Sequence, residues 1–164
     1  MGERAAPVDY IERTREQYAA LGYGTYRWVA NSDTPPWAPL RKPLAESRVA
    51  LVASGGIYVR GQVAFHHHDD TSFRIVDADT PASELRVTHF AYDLTDARDD
   101  PSVVFPLATL RELARERTIG AVAPRAYSLM GGIYSARKVH DLLAPAIAER
   151  LLRDEVDLTL FVPV

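Results

Sequence analysis

Residues 157–164, Asp-Leu-Thr-Leu-Phe-Val-Pro-Val, form an apolar stretch that predicts a short buried β-strand. The stretch follows a helical pattern that ends at the acidic residues Asp154 and Glu155. A second apolar run, residues 48–54, also has the character of a strand that is buried on both faces of a sheet. In an open α/β sheet, ligands bind beyond the carboxyl ends of the strands. We therefore expect the functional site where these two strands end.

Further strands and helices are predicted outward from this pair. Apolar runs at residues 85–90 and 119–123 predict two more strands. Pro106 suits the first turn of a helix. The apolar face of that helix is Leu107, Leu110, Leu113 and Ala114. Ser135 can cap the last helix, and Pro145 should kink or restart it. The buried stripe of the last helix is Val139, Leu142, Leu143, Ile147 and Leu151.

The order of these elements predicts the fold class. Strand–helix–strand units favour parallel pairing with right-handed crossovers. We expect an α/β fold with three layers and a mostly parallel sheet of about four strands, either flavodoxin-like or Rossmann-like. Residues 57–84 are polar and are predicted to be irregular, so the connection between the first two strands contains no helix.

The N-terminal part of the chain has a different character. Residues 8–21 carry apolar side chains at helical spacing, and Gly22 should end this helix. Residues 22–47 are rich in proline and include Trp28 and Trp37, which are expected to hold an extended arm against the core. We therefore expect one structural domain, with a helix and Pro-rich arm over 1–47 and the α/β part over 48–164.

The composition excludes several classes of protein. The 164 residues carry a net charge of −3 and no basic stripe, which argues against nucleic-acid binding. No apolar run approaches the ~20 residues of a membrane span, and residues 1–7 lack the apolar core of a signal peptide, so a cytoplasmic location is expected. Cysteine is absent, which excludes disulfides, zinc–thiolate sites and a Cys nucleophile within these residues.

Several polar and glycine residues fall at the predicted strand ends. Gly55 and Gly56 follow the first strand and either allow a ligand to approach the backbone or make a turn. No nucleotide-binding glycine motif is present. His89 and Asp93 lie at or just past the end of the second strand. They are either functional residues or structural ones, namely a hydrogen-bonded core histidine and a turn cap.

Two further segments are candidate sites. Residues 124–132 are predicted to form a loop whose side chains Arg125, Tyr127 and Ser128 could bind a small anionic substrate. Ser128 could equally serve only to turn the loop. The segment His66–Asp70 contains three consecutive histidines, of which only the first and third share a side of an extended chain. A metal site there with Asp69 or His89 is one interpretation, and a solvated loop is the other.

Six segments, in order and spacing, resemble one protein family. They are Pro39-Leu-Arg-Lys-Pro-Leu-Ala-Glu-Ser-Arg-Val-Ala-Leu-Val-Ala-Ser-Gly-Gly56, Ser72-Phe-Arg74, Thr88-His89 with Tyr92-Asp93, Val104-Phe-Pro-Leu107, Ile119-Gly-Ala-Val-Ala-Pro124 and Ser128-Leu-Met-Gly131. This set resembles the selenoprotein B subunits of the glycine, sarcosine, betaine and D-proline reductases. The resemblance extends from about Trp37 to the end of the chain.

The resemblance implies a reductase activity. Such enzymes cleave a carbon–nitrogen bond of a small amino acid or amine, with a dithiol or thioredoxin-type protein as electron donor. Partner subunits can carry a pyruvoyl group, and no cofactor is expected in this chain. The implied site comprises Gly55, Gly56, Arg125, Tyr127 and Ser128 around the substrate. His89 is expected to donate a proton or to orient the substrate, supported by Asp93, and Arg125 to hold a carboxylate.

The chain departs from the family pattern in one respect. The family nucleophile is a selenocysteine or a cysteine, and the resemblance places it directly after Val164. We therefore expect that a UGA codon after Val164 was read as a stop, which would leave this chain alone inactive. A non-catalytic module of a reductase complex is the alternative. A hydrolase using Ser128, His89 and Asp93 is a third reading, but Ser128 has no G-x-S-x-G context.

Overall fold

The computed structural model describes residues 8–24 and 29–164, and the chain forms two units, Met1–Pro36 and Trp37–Val164. In the first unit, helix α1 spans Tyr10–Ala20 and confirms the predicted helix. The Asp9 carboxylate caps it by accepting a hydrogen bond from the Glu12 N–H at 3.0 Å. Trp28 lies outside the described residues. Trp37 is 89% exposed, so the expectation that it packs on the core is wrong.

The second unit contains a five-stranded, mostly parallel sheet, and the predicted α/β class is confirmed. Its central strand is β1, Arg48–Ala53. Strands β5, Ala121–Val122, and β6, Arg125–Leu129, run parallel to the two ends of β1. Strand β7, Leu158–Val162, pairs in parallel along β1. Strand β3, Phe73–Asp77, is antiparallel to β6.

Two stretches differ from the predicted secondary structure. The segment 57–84 contains β2, Ile57–Val59, and β3, whose short lengths and polar neighbours hide them in the sequence. The predicted second strand is only β4, Leu85–Val87, and it pairs antiparallel with β2 in a separate small sheet. Short 3₁₀ helices at Leu44–Glu46, Ala82–Glu84 and Pro101–Val103 complete the connections.

The two faces of the main sheet are covered differently. On one face, Leu51 packs with residues of the small sheet and of helices α2, Thr95–Asp99, and α3, Leu107–Arg115. On the other face, Val52 and Tyr127 pack with Leu143 and Ile147 of the last helix. Residues of the strand interior are buried on both faces, as the continuous apolar run of β1 predicts.

The last helix begins where Ser135 caps it and restarts at the proline, as predicted. The Ser135 hydroxyl accepts a hydrogen bond from the Lys138 N–H at 3.3 Å. A short helix α4, Ala136–Lys138, passes through a π-helical stretch, Val139–Leu143, into helix α5, Ala144–Arg153. Pro145 has no N–H to donate, so the preceding turn is freed from regular α-helical bonding and widens. None of the helices in the described part of the chain is long and apolar enough to cross a membrane.

Candidate functional site

The carboxyl end of β1 meets the ends of β6 and β7 at one edge of the sheet. Gly131 N–H donates to the Ser54 carbonyl at 3.0 Å, and Gly56 N–H donates to the Leu129 carbonyl at 3.0 Å. The Val164 N–H donates to the Ser54 hydroxyl at 2.9 Å. These bonds bring the residues after all three strands together, as expected for a binding site in an α/β sheet.

Gly56 is required for this arrangement. Its φ of +71° is disfavoured for other residues, and a Cβ there would lie 2.0 Å from the Thr88 carbonyl oxygen. The Thr88 N–H in turn donates to the Gly56 carbonyl at 3.0 Å. The contact joins β1 to the segment after β4, and so it brings His89 to the carboxyl edge of the main sheet although β4 belongs to the small sheet.

A small space beside Gly131 is bordered by polar atoms. A Cβ at Gly131 would lie 3.0 Å from Nε2 of His89, 3.1 Å from the Val164 carbonyl oxygen and 3.5 Å from the Ser54 carbonyl oxygen. The missing side chain of this glycine therefore leaves a gap that one donor and two acceptors face. Contacts of 3.0–3.1 Å are too short for a carbon atom but match hydrogen-bond lengths, so the gap suits a single polar atom of a ligand.

His89 is the buried polar group at this edge. It is 6% exposed, and its ring lies 4.7 Å from that of Tyr92. The Ala91 N–H donates to Nδ1 at 3.1 Å, so the neutral ring carries its proton on Nε2. Nε2 is buried and has no hydrogen-bond partner within the described residues. An unsatisfied buried donor is costly, which makes Nε2 a candidate for ligand contact.

Burial controls the protonation of His89. Desolvation lowers the pKa of His89 below its ordinary value of 6.5, and the nearby Ser54 carbonyl acts in the opposite direction by favouring the charged ring. The Ser54 carbonyl does not form a well-aligned hydrogen bond with Nε2. The imidazolium form is therefore a stronger acid than free histidine.

Asp93 and Tyr92 have structural partners. The Asp93 carboxylate accepts bonds from the Thr95 N–H at 2.9 Å and the Thr95 hydroxyl at 2.7 Å, which form the turn before α2. These bonds lower the pKa of Asp93. The Tyr92 hydroxyl donates to the Gly55 carbonyl at 2.9 Å. Asp93 makes no hydrogen bond to His89, so the structure gives it the turn-cap role.

Arg125 and Tyr127 lie away from this edge. The predicted loop 124–132 is wrong for residues 125–129, which form β6. Arg125, at the amino end of β6, makes a two-pronged contact with the Asp154 carboxylate, with Nε at 2.9 Å from Oδ2. The Tyr127 hydroxyl donates to the same carboxylate at 3.3 Å. The guanidinium does bind a carboxylate, but the carboxylate belongs to the protein itself.

The electrostatics of this pair are structural. The bond from Arg125 holds the pKa of Asp154 below its ordinary range, and desolvation raises the pKa of Tyr127. The Asp154 carbonyl accepts a bond from Arg48 at 2.7 Å, at the start of β1. These residues therefore connect the amino ends of the strands, opposite to the edge where His89 lies.

Ser128 is fully buried, and its hydroxyl is used by the backbone. Its Oγ accepts a hydrogen bond from the Ile57 N–H at 2.8 Å. None of the hydrogen bonds within residues 29–164 joins Ser128 to His89 or Asp93. Ser128, His89 and Asp93 therefore do not form a catalytic triad within residues 29–164, and the hydrolase interpretation is not supported.

The histidine-rich segment forms a turn. The Asp70 carboxylate accepts from the His66 N–H at 2.8 Å, and Asp69 pairs with Lys138 at 2.7 Å. No group of three His, Asp or Glu residues in the described part of the chain is placed to hold a metal ion.

Comparison with known proteins shows which family this chain resembles. Residues 19–163 match the family described as glycine/sarcosine/betaine reductase selenoprotein B. This chain belongs to that selenoprotein B family. The match covers almost the whole length, including β1 to β7 and the edge around Gly55, Gly56 and His89, so the resemblance expected from the six segments is confirmed.

Two relatives illustrate the selenoprotein B similarity. The chain is 35% identical over 133 residues to the D-proline reductase subunit gamma of Acetoanaerobium sticklandii, covering 81% of this chain and 55% of that subunit. It is 33% identical over 140 residues to the glycine reductase complex component B subunit gamma of Symbiobacterium thermophilum, covering 82% of this chain and 32% of that subunit. The chain thus spans about half or less of these relatives. No solved structure matches it.

Three residues at the carboxyl edge of the sheet are predicted from the sequence, and two others are not. Gly55, Gly56 and His89 were predicted and are brought together at the carboxyl edge of the sheet. Ser54 and Gly131 were not singled out for the site. Ser54 directly follows β1 and Gly131 lies two residues after β6, and these positions at strand ends are the signal that could have marked them.

Proposed function

We propose that this chain forms part of a reductase that cleaves a carbon–nitrogen bond of a small amino acid or amine. The bond between carbon and nitrogen breaks, and a dithiol is oxidised to a disulfide. The two electrons and two protons that the dithiol gives up appear as new C–H and N–H bonds. A dithiol donor suits a reducing compartment such as the cytoplasm.

The proposed nucleophile is a selenol or thiol adjacent to Val164. The 164 residues contain no cysteine, so this group belongs to a residue outside them. The geometry supports the position, because the Ser54 hydroxyl holds the Val164 N–H at the carboxyl edge of the sheet. A nucleophile that follows a strand and precedes a helix would meet the positive end of the helix dipole, which favours the anion.

The observation that carries the proposal is the buried Nε2 of His89 beside this position, which has no hydrogen-bond partner among residues 8–24 and 29–164. We assign His89 as the group that orients the substrate by donating a hydrogen bond from Nε2. The carbonyl oxygens of Ser54 and Val164 face the same gap and are acceptors suited to the amine of the substrate. The Nε2–H of the neutral ring can donate a hydrogen bond to the departing nitrogen.

Partner subunits supply the rest of the reaction. The relatives are subunits of D-proline reductase and of a glycine reductase complex, and we propose that this chain also works with partner subunits and a dithiol or thioredoxin-type donor. The pyruvoyl group that the resemblance implies belongs to a partner subunit. We assign no residue of this chain to hold it.

The role of His89 can be tested in a reductase complex that contains this chain. The assay is substrate-dependent oxidation of dithiothreitol, with glycine, sarcosine, betaine and D-proline offered in turn. Replacing His89→Leu removes the Nε2–H donor and should lower kcat by about 10²- to 10³-fold. The exposed His140→Leu is the matched control and should leave kcat unchanged. An unaltered kcat for His89→Leu would refute the assignment.

A non-catalytic assembly module is the second candidate. The absence of cysteine from the 164 residues favours it. The same assay separates the two functions. A module that only assembles the complex would support full activity with His89→Leu and would lower activity only when the complex fails to form.

A further inference from the structure

The apolar surface around β7 is unusual for an edge strand. Leu160 is 38% exposed and Phe161 is 67% exposed, although their neighbours on β1 are buried. The register pairs Leu160 with Leu51 and Phe161 with Val52, so the two exposed side chains lie on opposite faces of the sheet. Apolar residues on both faces are typical of an interior strand of a parallel sheet.

The outer edge of β7 is unpaired. Within residues 29–164, β7 pairs only with β1. Natural edge strands are commonly blunted by charged residues, proline or bulges, and the five residues Leu158–Val162 contain none of the charged residues or prolines. The edge therefore presents free backbone groups flanked by apolar side chains, which is the surface that an added strand requires.

An apolar groove adjoins this strand. It has a volume of about 410 Å³ and lies between the end of β1, the end of β7 and the last helix. Leu129, Leu143, Ile147, Leu151 and Phe161 are among the residues that line it. The surface formed by this groove and by β7 is called the β7 surface below. Its chemistry suits an apolar helix packed beside an added strand.

The greater length of the relatives provides a candidate to cover the β7 surface. The matched region covers 55% of the D-proline reductase gamma subunit, so 45% of that subunit lies outside the matched region. A second copy of this chain could pair with β7 through a two-fold axis, but it would bring no additional helix for the exposed faces of Leu160 and Phe161. A segment with strands and helices of its own can cover both faces and fill the groove.

We propose that the β7 surface binds the counterpart of the gamma-subunit segment that lies outside the match. That segment adds a strand to β7 and packs an apolar helix into the groove. The binding turns β7 into an interior strand of a larger sheet. The inference rests on the exposure of β7 and on the length of the relatives, and it is independent of the reaction proposed above.

The test uses the unmatched segment of the Acetoanaerobium sticklandii gamma subunit as a separate polypeptide mixed with the 164-residue chain. Sedimentation should show a 1:1 complex, and hydrogen exchange should slow at the amides of Leu158–Val162. Phe161→Asp should weaken binding by about tenfold or more, because it buries a charge. Val63→Asp, at a side chain that is 79% exposed elsewhere, should have no effect.

A second arrangement covers the case in which the separate segment does not fold. The segment is then joined after Val164 in one polypeptide, and exchange at Leu158–Val162 is compared with that of the 164-residue chain. Equal exchange rates in this polypeptide would overturn the proposal. A homodimer of the 164-residue chain with protected β7 amides would also overturn it, in favour of a second copy.

Discussion

His89 shows how one side chain can be both buried and available. The Ala91 N–H fixes the ring through Nδ1, while Nε2 faces the gap beside Gly131. A histidine that served only to satisfy the core would have partners on both nitrogens. The cost of leaving Nε2 unpaired is explained if a ligand completes the site.

The pH dependence of stability reports on His89. Burial lowers the pKa of His89 from its ordinary value of 6.5. As the pH falls, His89 of the unfolded chain is protonated at a higher pH than His89 of the folded protein. The contribution of the neutral ring to the free energy of unfolding is therefore fully present above pH 6.5 and is lost as the pH falls through the lower pKa of the folded protein. Urea unfolding at pH 7.5 and 5.5 should show this loss, and His89→Gln should reduce it. The same pH dependence in the variant would contradict the buried, neutral state.

Gly56 gives a second prediction at this scale. Gly56→Ala introduces a Cβ 2.0 Å from the Thr88 carbonyl and strains φ at +71°. We expect a loss of about 2–4 kcal/mol in the free energy of unfolding. Gly61→Ala is the matched control, because Gly61 has φ +92° but nothing within 4 Å of its Cβ. It should cost only the strain, about 1–2 kcal/mol. Equal losses in urea unfolding would show that the Thr88 contact does not matter.

At the scale of elements, β6 explains the largest difference from expectation. Residues 125–129 include Arg, Tyr and Ser, and Pro124 and Gly131 flank them, so a single sequence favours a loop. The structure places these residues between β1 and β3, where both edges of the strand are paired. Their polar groups are tolerated because Asp154 and the Ile57 N–H satisfy them.

Strand β1, unlike β6, can be predicted from its sequence pattern. Its continuous apolar run is buried, and the predicted strand 48–54 differs from the observed Arg48–Ala53 by one residue. The restart at Pro145 was also predicted, because the missing N–H acts within one turn of the helix. Local causes of this kind can be recognised without knowing the tertiary structure.

Considering the whole molecule, every buried residue of the described part of the chain lies in the second unit. Among the described residues, none before Ser47 is buried. A polypeptide that begins at Trp37 should therefore keep its unfolding free energy within about 0.5 kcal/mol of the full chain, as measured by urea denaturation. A loss of more than about 2 kcal/mol would show that residues 1–36 contribute to the core.

Local sequence patterns are sufficient to predict the α/β class, the central strand, the helix cap at Ser135 and the position of Gly55, Gly56 and His89 near strand ends. These features depend on local periodicity, on turn chemistry and on where strands stop. The tertiary structure alone decided the partners of the polar side chains. Asp154 lies 29 positions from Arg125, and Ile57 lies 71 positions from Ser128. Such pairs form only when the sheet brings distant segments together, so no local pattern can reveal them.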